Sequence, residues 1–598
     1  MARWLREQPP QALNGGGHTA RAPESPTAIW DERRFAAGSN GWALAPSHTA
    51  SGNAILMGNP HLDFGANGLT SALQGTKAGQ WQWMEAHLVV GDPGHPQVSL
   101  SGVGFVGVPA ITIGFNDFLG WTHTVNGAAS SNAYELALQG GSYRWGRELR
   151  RLQSRQHSVR VCGTAARCET RKFVVESSVH GPIVARKGDR ALALRVAGLD
   201  ASAPFEQYWD MGRARSYREF EAAFSRLQMP YFNVVYADRD GHILFADAGR
   251  IPRRAGGSFS EAGEILKGED PAQLWSQYLP WEALPRALDP PSGFLQNGND
   301  SPWTSTFPAV LRRGDFPSYV SFDMMWPRSR AGARFLVSQP KFSFDEIVQG
   351  KLSTRMMVAD LVLEELLRAA AERNDESLSR AAAVLHAWDR TSDHDSRGSV
   401  LFERWWRQYE ERMAVKRAAE NVDDPAWSRQ YDPAKPLDTP SGLADTGVAV
   451  DTLKAVVAEI QEAYGRLDVP WGEVHRVVLV SRDSEYLNPK AVADVPANGA
   501  SDSVGVIAKM NYPPAETEGR RIAAGGEGYM QVVEFTPNGV RALKRLTYGN
   551  ASRPGSKHVT DQLQAYVDKQ LLPALRTREE ILRETEQVEV LQRPPAPP

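Results

Sequence analysis

The sequence predicts an α+β fold with inserted helices, on three observations. Short strand patterns dominate from Trp42 to about residue 260, helical spacing takes over between about 340 and 470, and strand patterns return toward the C-terminal end. Strands on both sides of a helical region imply one large unit whose sheet draws on distant parts of the chain. Splitting it into independent domains would leave sheet edges unpaired.

In chain order, WALAPS, AILMGNP, WMEAHLVV, AITIGF, GWTHTV, KFVVESS and ALALRVAG read as strands, because β-branched and aromatic residues recur in short runs between turn residues. YFNVVYADRDGHILFAD reads as a hairpin turned at DRDG. SVRVCGTAARCETRKFVVE has the same character, with two alternating segments around a Gly-containing turn, and it holds both cysteines of the chain, Cys162 and Cys168. Their spacing allows a bridge without requiring one, and two buried free thiols fit it equally. SFDEIVQGKLSTRMMVADLVLEELLRAAAE and LFERWWRQYEERMAVKRAAE carry the spacing of helices packed on a sheet. VHRVVLVSR, SVGVIAKMNY and GYMQVVEF read as strands again, and a charged helix and a proline tail close the chain. No internal repeat is visible.

At 598 residues, with 42% hydrophobic and 23% charged, the chain has the balance of a globular protein with a large core, which excludes disorder. A net charge of -3 offers no basic surface for nucleic acid, and no apolar run is long enough to span a bilayer. The opening segment MARWLREQPPQALNGGGHTARAPESP has no apolar run of signal-peptide length, so nothing in it would direct export.

The stretch FAAGSNGWALAPSHTASGN, residues 35–53, reads locally as a loop entering a strand. At GSNGW, however, the chain resembles the β chain of the penicillin acylase group within the N-terminal nucleophile hydrolases, where a precursor cuts itself before a serine that then begins the catalytic chain. Gly38-Ser39 matches that cut. A Gly-Ser dipeptide alone carries nothing; the weight lies in further segments arriving in family order. NPHLDF, with Asn59, Pro60 and His61, resembles the segment shortly after the nucleophile. GFNDFLGWTHTVN, with Trp121, His123, Thr124 and Val125, resembles the segment that carries a backbone oxyanion donor. FLQNGNDSPW resembles the segment of the catalytic asparagine, with Asn299 at the matching position. LDTPSG and YGNASRPGSKHVTDQ resemble later segments, so the resemblance covers nearly all of the chain after residue 38.

The resemblance implies a four-layer αββα sandwich, two stacked antiparallel sheets between helical layers. It makes residues 1–38 a spacer or the remnant of an α chain, removed on maturation, and 39–598 the β chain. Only 38 residues precede Ser39, so an α chain from the same precursor is the expected partner, missing through truncation or a late start. This chain alone would then lack sheet strands and be prone to aggregate. The expected substrate is a small N-acyl compound, with no cofactor, and the expected location is periplasmic or secreted.

The chemistry explains these residue types. Cleavage before Ser39 frees an α-amino group with an ordinary pKa near 8, able to take the proton of the same residue's hydroxyl through a water. Attack on an acyl carbonyl builds charge on oxygen, for which the resemblance assigns the backbone N–H of Val125 and the side-chain amide of Asn299. His61 would orient Ser39 or stabilise the leaving amine, and histidine there is shared with acylases of acyl-homoserine lactones and lipopeptides and with cephalosporin acylases. Its plain alternative is a histidine capping a turn after Pro60. Strand alternation points His123 into packing, and Asn297 is expected to brace the loop of Asn299. Arg328, Arg330 and Arg334 follow, and spacing does not settle which of them matches the family's arginine.

Departures matter too. Leu62 stands where relatives often have Phe lining the acyl pocket, which implies a differently shaped pocket. GAASSNAYE has only Glu135 as an acid where some members bind calcium, so calcium there is unsupported, and no Cys/His spacing suggests zinc. Two readings compete with an acylase: a catalytically inactive member that keeps the fold, and an exported module whose 17 tryptophans stack on glycans.

Overall fold

The computed structural model describes residues 38–63, 83–92, 95–162, 168–420, 422–481, 490–513, 519–551 and 555–591. Its centre is an antiparallel sheet in which the Gly38–Leu44 strand lies between Phe294–Asn297 and Ala54–Asp63, followed by Tyr529–Thr536 and Gly539–Leu546. Strands from both ends of the chain thus pair directly. The short Gly525–Glu527 strand continues the Ala54–Asp63 edge.

A second antiparallel sheet runs from Arg286–Leu288 through Ile243–Gly249, Tyr231–Asp238, Leu119–Thr124, Ile113–Phe115 and His95–Phe105 to Trp83–Asp92. Alternation decides what each face meets. Ala43, Leu56, Val235, Phe245 and Phe535 form one core between the two sheets. On the first sheet's other face, Trp42, Leu44, Ile55 and Met57 pack with Leu336, Ile347 and Leu352 of the helices Pro327–Val337 and Phe344–Lys351 and the residue after them. On the second sheet's outer face, Trp121, Tyr236 and Leu244 meet Tyr208, Met211, Phe220 and Phe224 of the helices Pro204–Arg213 and Tyr217–Phe224. The order is helix, sheet, sheet, helix, the αββα sandwich the resemblance implies.

Gly41 and Gly58 oppose each other in register, and a Cβ on either would meet Thr122 of the facing sheet at 3.1 and 2.7 Å. Missing side chains there let the sheets close up beside the site. The helices Met357–Ala371, Glu376–Ala387, Ser399–Lys416 and Thr446–Tyr464 build a separate core around Trp405, Trp406 and Trp471. Two of them carry side-chain N-caps, Asp445 accepting from Val448 N and Asp375 from Ser377 N.

One strand expectation fails. SVGVIAKMNY yields only the short strand Met510–Asn511, because the chain turns at Gly505 (φ +74°) and places Val504, Val506 and Ala508 in the helical core. Cys162 and Cys168 stand opposite each other and are joined by a disulfide at the end of the exposed hairpin formed by Gln153–Cys162 and Cys168–Ser178. No helix among the described residues is long and apolar enough to cross a membrane.

Candidate active site

Ser39 is buried in the Gly38–Leu44 strand, held from both sides by neighbours in the central sheet. Its backbone N–H donates to Asn299 Oδ1 at 2.6 Å, and its hydroxyl donates to the carbonyl oxygen of Gly38 at 2.5 Å. Asn299 follows directly on the Phe294–Asn297 strand and its Gly298, with φ +69°, a left-handed conformation that asparagine tolerates better than most side chains. Its Nδ2 donates to the Val125 carbonyl at 2.9 Å, so one amide links the Ser39 nitrogen to the strand end carrying Val125.

The loop is fixed from below. Asn297 Oδ1 accepts from Asn299 N at 2.9 Å, from Thr124 Oγ1 at 2.5 Å and from Asn233 Nδ2 at 3.2 Å. Asp300 accepts from Gly298 N at 2.8 Å and Gln296 Nε2 at 2.9 Å, and burial nevertheless raises its carboxyl above the ordinary range. Beyond Val125, Asn126 Nδ2 donates to Asp247 Oδ1 at 3.0 Å; burial pushes the Asp247 carboxyl up to about 7.

Of the three arginines, Arg328 reaches the site. Its Nη1 donates to Ser39 O at 2.6 Å and Asn40 Oδ1 at 2.5 Å, and its Nη2 to Gly298 O and Asn299 Oδ1, both at 2.8 Å. Arg330 and Arg334 turn away to the Leu437 carbonyl. The residue at the helix start points back into the sheet, which spacing alone could not tell from the two arginines that follow it.

His61 lies opposite Gly38 in register and is fully buried. Its Nε2 sits 2.6 Å from Asn59 Oδ1, whose amide is oriented by donating from Nδ2 to Tyr529 O at 2.7 Å, so Nε2 carries the proton. Nδ1 has no hydrogen-bond partner. Burial, then the charges of Arg328, Lys509 and Lys351, hold His61 well below its ordinary pKa and keep it neutral. His123 is elsewhere: it stacks on Phe232 in the layer between sheet and helices, with Nδ1 3.1 Å from Asn233 O. Leu62 is partly buried against the cluster of Trp83 and Val103, and Glu135 is paired with Arg190 at 2.8 Å.

Sequence reading missed a set of buried charges behind Ser39. Asp502 pairs with both Arg328 and Lys509, the latter at 2.5 Å. Burial would raise the Asp502 carboxyl, but those two cations reverse the effect and hold it low. Behind His61, Glu527 pairs with Lys351 and, at 3.4 Å, with Arg545. These residues lie hundreds of positions from Ser39, and no local pattern announces them.

The penicillin amidase family profile matches residues 4–583. This chain belongs to the penicillin amidase family. Its relatives include the acyl-homoserine lactone acylase PvdQ of Pseudomonas fluorescens Pf-5, 27% identical over 94% of this chain and 72% of that protein. They also include aculeacin-A acylase of Actinoplanes utahensis, 24% identical over 92% and 68%, and the penicillin acylase 2 proenzyme of Pseudomonas sp. SE83, 25% identical over 92% and 68%. The thermostable penicillin G acylase of Alcaligenes faecalis has the same fold, with a TM-score of 0.64 at 17% identity over 94% of this chain and all of that one. As a penicillin amidase family member the chain is an amidohydrolase acting on acyl amides. Trp42, Trp121, Trp405, Trp406 and Trp471 are fully buried, which argues against a glycan-stacking face.

Proposed function

We propose that this chain cuts its own Gly38–Ser39 bond and that the freed Ser39 hydrolyses N-acyl amides through an acyl-enzyme. The observation that carries this reading is the position of Asn299, whose Oδ1 holds Ser39 N while its Nδ2 meets the Val125 backbone.

In the first step Ser39 Oγ, already against the Gly38 carbonyl group, bonds to its carbon. The C–N bond breaks, the hydroxyl proton ends on Ser39 N, and water splits the ester into a Gly38 carboxylate and a free Ser39. With substrate, the deprotonated α-amine takes the Oγ proton through a water as Oγ attacks the acyl carbonyl. Val125 N–H and Asn299 Nδ2 receive the developing charge, and Arg328 fixes the Asn299 amide by its Oδ1. His61, neutral and braced by Asn59, stands beside Asn40 and Gly38 as the positioning group. The proton returns to the leaving amine, and water releases the acid.

The substrates are N-acyl compounds of the classes the relatives' names describe: acyl-homoserine lactones, the lipopeptide aculeacin or penicillins. The acyl-homoserine-lactone and lipopeptide branch is favoured by His61. The partner is an α chain from the same precursor, giving a heterodimer of that chain with 39–598. A periplasmic or secreted location is supported by the Cys162–Cys168 disulfide, which persists in oxidising compartments.

The test is the mass of the purified protein with a panel of acyl amides. A chain beginning SNGWALAP that turns over at least one amide class is expected, while Ser39→Ala stays uncut and inactive. Activity from protein intact across Gly38–Ser39 overturns the mechanism.

A further inference from the structure

The peptide between Val125 and Asn126 bears on both donors assigned to the oxyanion. Its carbonyl takes one hydrogen of Asn299 Nδ2 at 2.9 Å, which leaves the second for substrate, and the other donor is the N–H of Val125 itself. The chain has just left the sheet there, since the Leu119–Thr124 strand ends one residue earlier. Beyond Val125 the anchor is a side chain: Asn126 Nδ2 donates to Asp247 Oδ1 at 3.0 Å and to Ala248 O at 2.6 Å. Asp247 ends a row across three neighbouring strands, opposite Asn233, which in turn stands opposite Thr124. Thr124 and Asn233 reach Asn297 beneath Asn299, and Asp247 reaches Asn126 beyond Val125. This last contact is costly to the fold. Asp247 is 1% exposed, no cation among the described residues pairs with it, and Asn126 Oδ1 is buried without a partner. Apolar side chains of the same size would hold the core at lower cost, so stability does not account for the pair.

We propose that Asn126 and Asp247 are positioning residues that aim the oxyanion donors, Val125 N–H through the chain and Asn299 Nδ2 through the Val125 carbonyl. The proposal rests on the oxyanion reading given above. An amide NH2 has two hydrogens in one plane, and Asp247 and Ala248 take one each, so the plane of the Asn126 side chain is fixed and the backbone that carries it is held. With Ala248 O alone, one hydrogen bond remains about which the amide can turn. Charge gathers on the acyl oxygen only at the transition state, so a donor swung off line costs turnover and not substrate binding. Asp247 acts at one remove from that oxygen, through Asn126.

The test is a double-mutant cycle on cleaved protein, reading kcat and KM for one hydrolysed amide, with intact mass to count the cleaved chains. Asn126→Leu and Asp247→Leu are each expected to lower kcat at least about tenfold with KM within about twofold of wild type, and the double variant to be no slower than the slower single one. Asp247→Asn keeps an oxygen for Asn126 and is expected to recover most of the loss. Where a leucine variant yields no cleaved chain, alanine at the same position takes its place in the cycle. Losses that multiply, a rise in KM alone, unchanged kcat in both single variants, or an Asp247→Asn as slow as Asp247→Leu overturns the assignment. Asn299→Ala measured beside them separates the two levels: if it is slow and the Asn126 and Asp247 variants are not, this inference fails alone, whereas if none of them is slow the oxyanion reading fails with it.

Discussion

Among the buried histidines, His61 and His475 have similar chemical surroundings, and of this pair only His61 sits beside Ser39. His61 and His475 are both fully enclosed, both have a ring nitrogen without a partner, and both are held neutral by burial reinforced by a nearby guanidinium, Arg328 or Arg521. Around His475 the ring is sealed: Trp471 stacks on it at 3.4 Å, Tyr512 meets its edge at 4.6 Å, and Arg521 is matched by Glu403 at 2.6 Å. Around His61 the open nitrogen faces the backbone of Gly38, and one carboxylate, Asp502, serves two cations. Burial and a depressed histidine therefore do not mark function by themselves. What separates them is that the open nitrogen of His61 faces the backbone next to Ser39, whereas the ring of His475 is sealed by Trp471 and Tyr512.

Removing one arginine from each neighbourhood tests this contrast most severely. Arg521→Met strands Glu403 and should cost about 3–5 kcal/mol in urea unfolding, whereas Arg328→Met leaves Asp502 its Lys509 partner and should cost less. Turnover of the folded, cleaved fraction should collapse in Arg328→Met, which releases Asn299, and stay near wild type in Arg521→Met. Equal activity losses would show that both clusters only hold the fold.

A buried acid beside the strand end that carries Val125 gives the next effect. Asp247 has a carboxyl pushed up to about 7 in the folded chain against 3.8 ordinarily. The folded state then binds more protons than the unfolded one between those values, so this group lowers stability as pH rises from about 4 to about 7. Asp247→Asn should remove that slope, gaining stability relative to wild type toward pH 7 by up to about 4 kcal/mol at 1.4 kcal/mol per unit. Parallel stability curves for the two proteins would exclude it.

The α+β character was legible because strand alternation and helix spacing are local signals, and the runs around Ala54, Tyr231 and Tyr529 all became strands; the layered sandwich came from the family resemblance. Of the residues that came in motifs, Ser39, Val125 and Asn299 lie together in the structure, with His61 across the strand pair. Arg328 was one of three candidates, because which turn of a helix faces the sheet depends on packing. Lys509 and Asp502 were invisible for a related reason. They sit beside and inside an apolar run that reads as a strand, and only the Gly505 turn brings them to Ser39. Charge balance in a core is a property of the folded assembly, with no local pattern in the chain.

Two asparagines then separate chemistry from bracing. Asn299→Ala should lower kcat about a hundred- to a thousandfold, some 3–4 kcal/mol in barrier, because the transition-state oxygen loses a fixed donor in a buried site. Asn297→Ala should lower it less, since Asp300 still holds Gly298 N and Trp326 Nε1 still holds the Asn299 carbonyl at 3.0 Å. Equal, mild effects would remove Asn299 from the oxyanion role.

The smallest effect is expected farthest from both histidines. The Cys162–Cys168 bridge closes a short loop six positions apart, for which chain entropy sets a ceiling of about 2 kcal/mol. The strands it joins are exposed along nearly their whole length and add almost nothing to a core. Such a hairpin opens locally before the rest unfolds, so the bridge constrains that opening more than the global transition. Replacing both cysteines by serine should therefore raise amide exchange across 153–178 while leaving cleavage at Ser39 and turnover unchanged, with the global midpoint shifted by less than the ceiling. A double variant that loses activity would tie this hairpin to the site, and the separation between a charge-tuned centre and a passive periphery would fail.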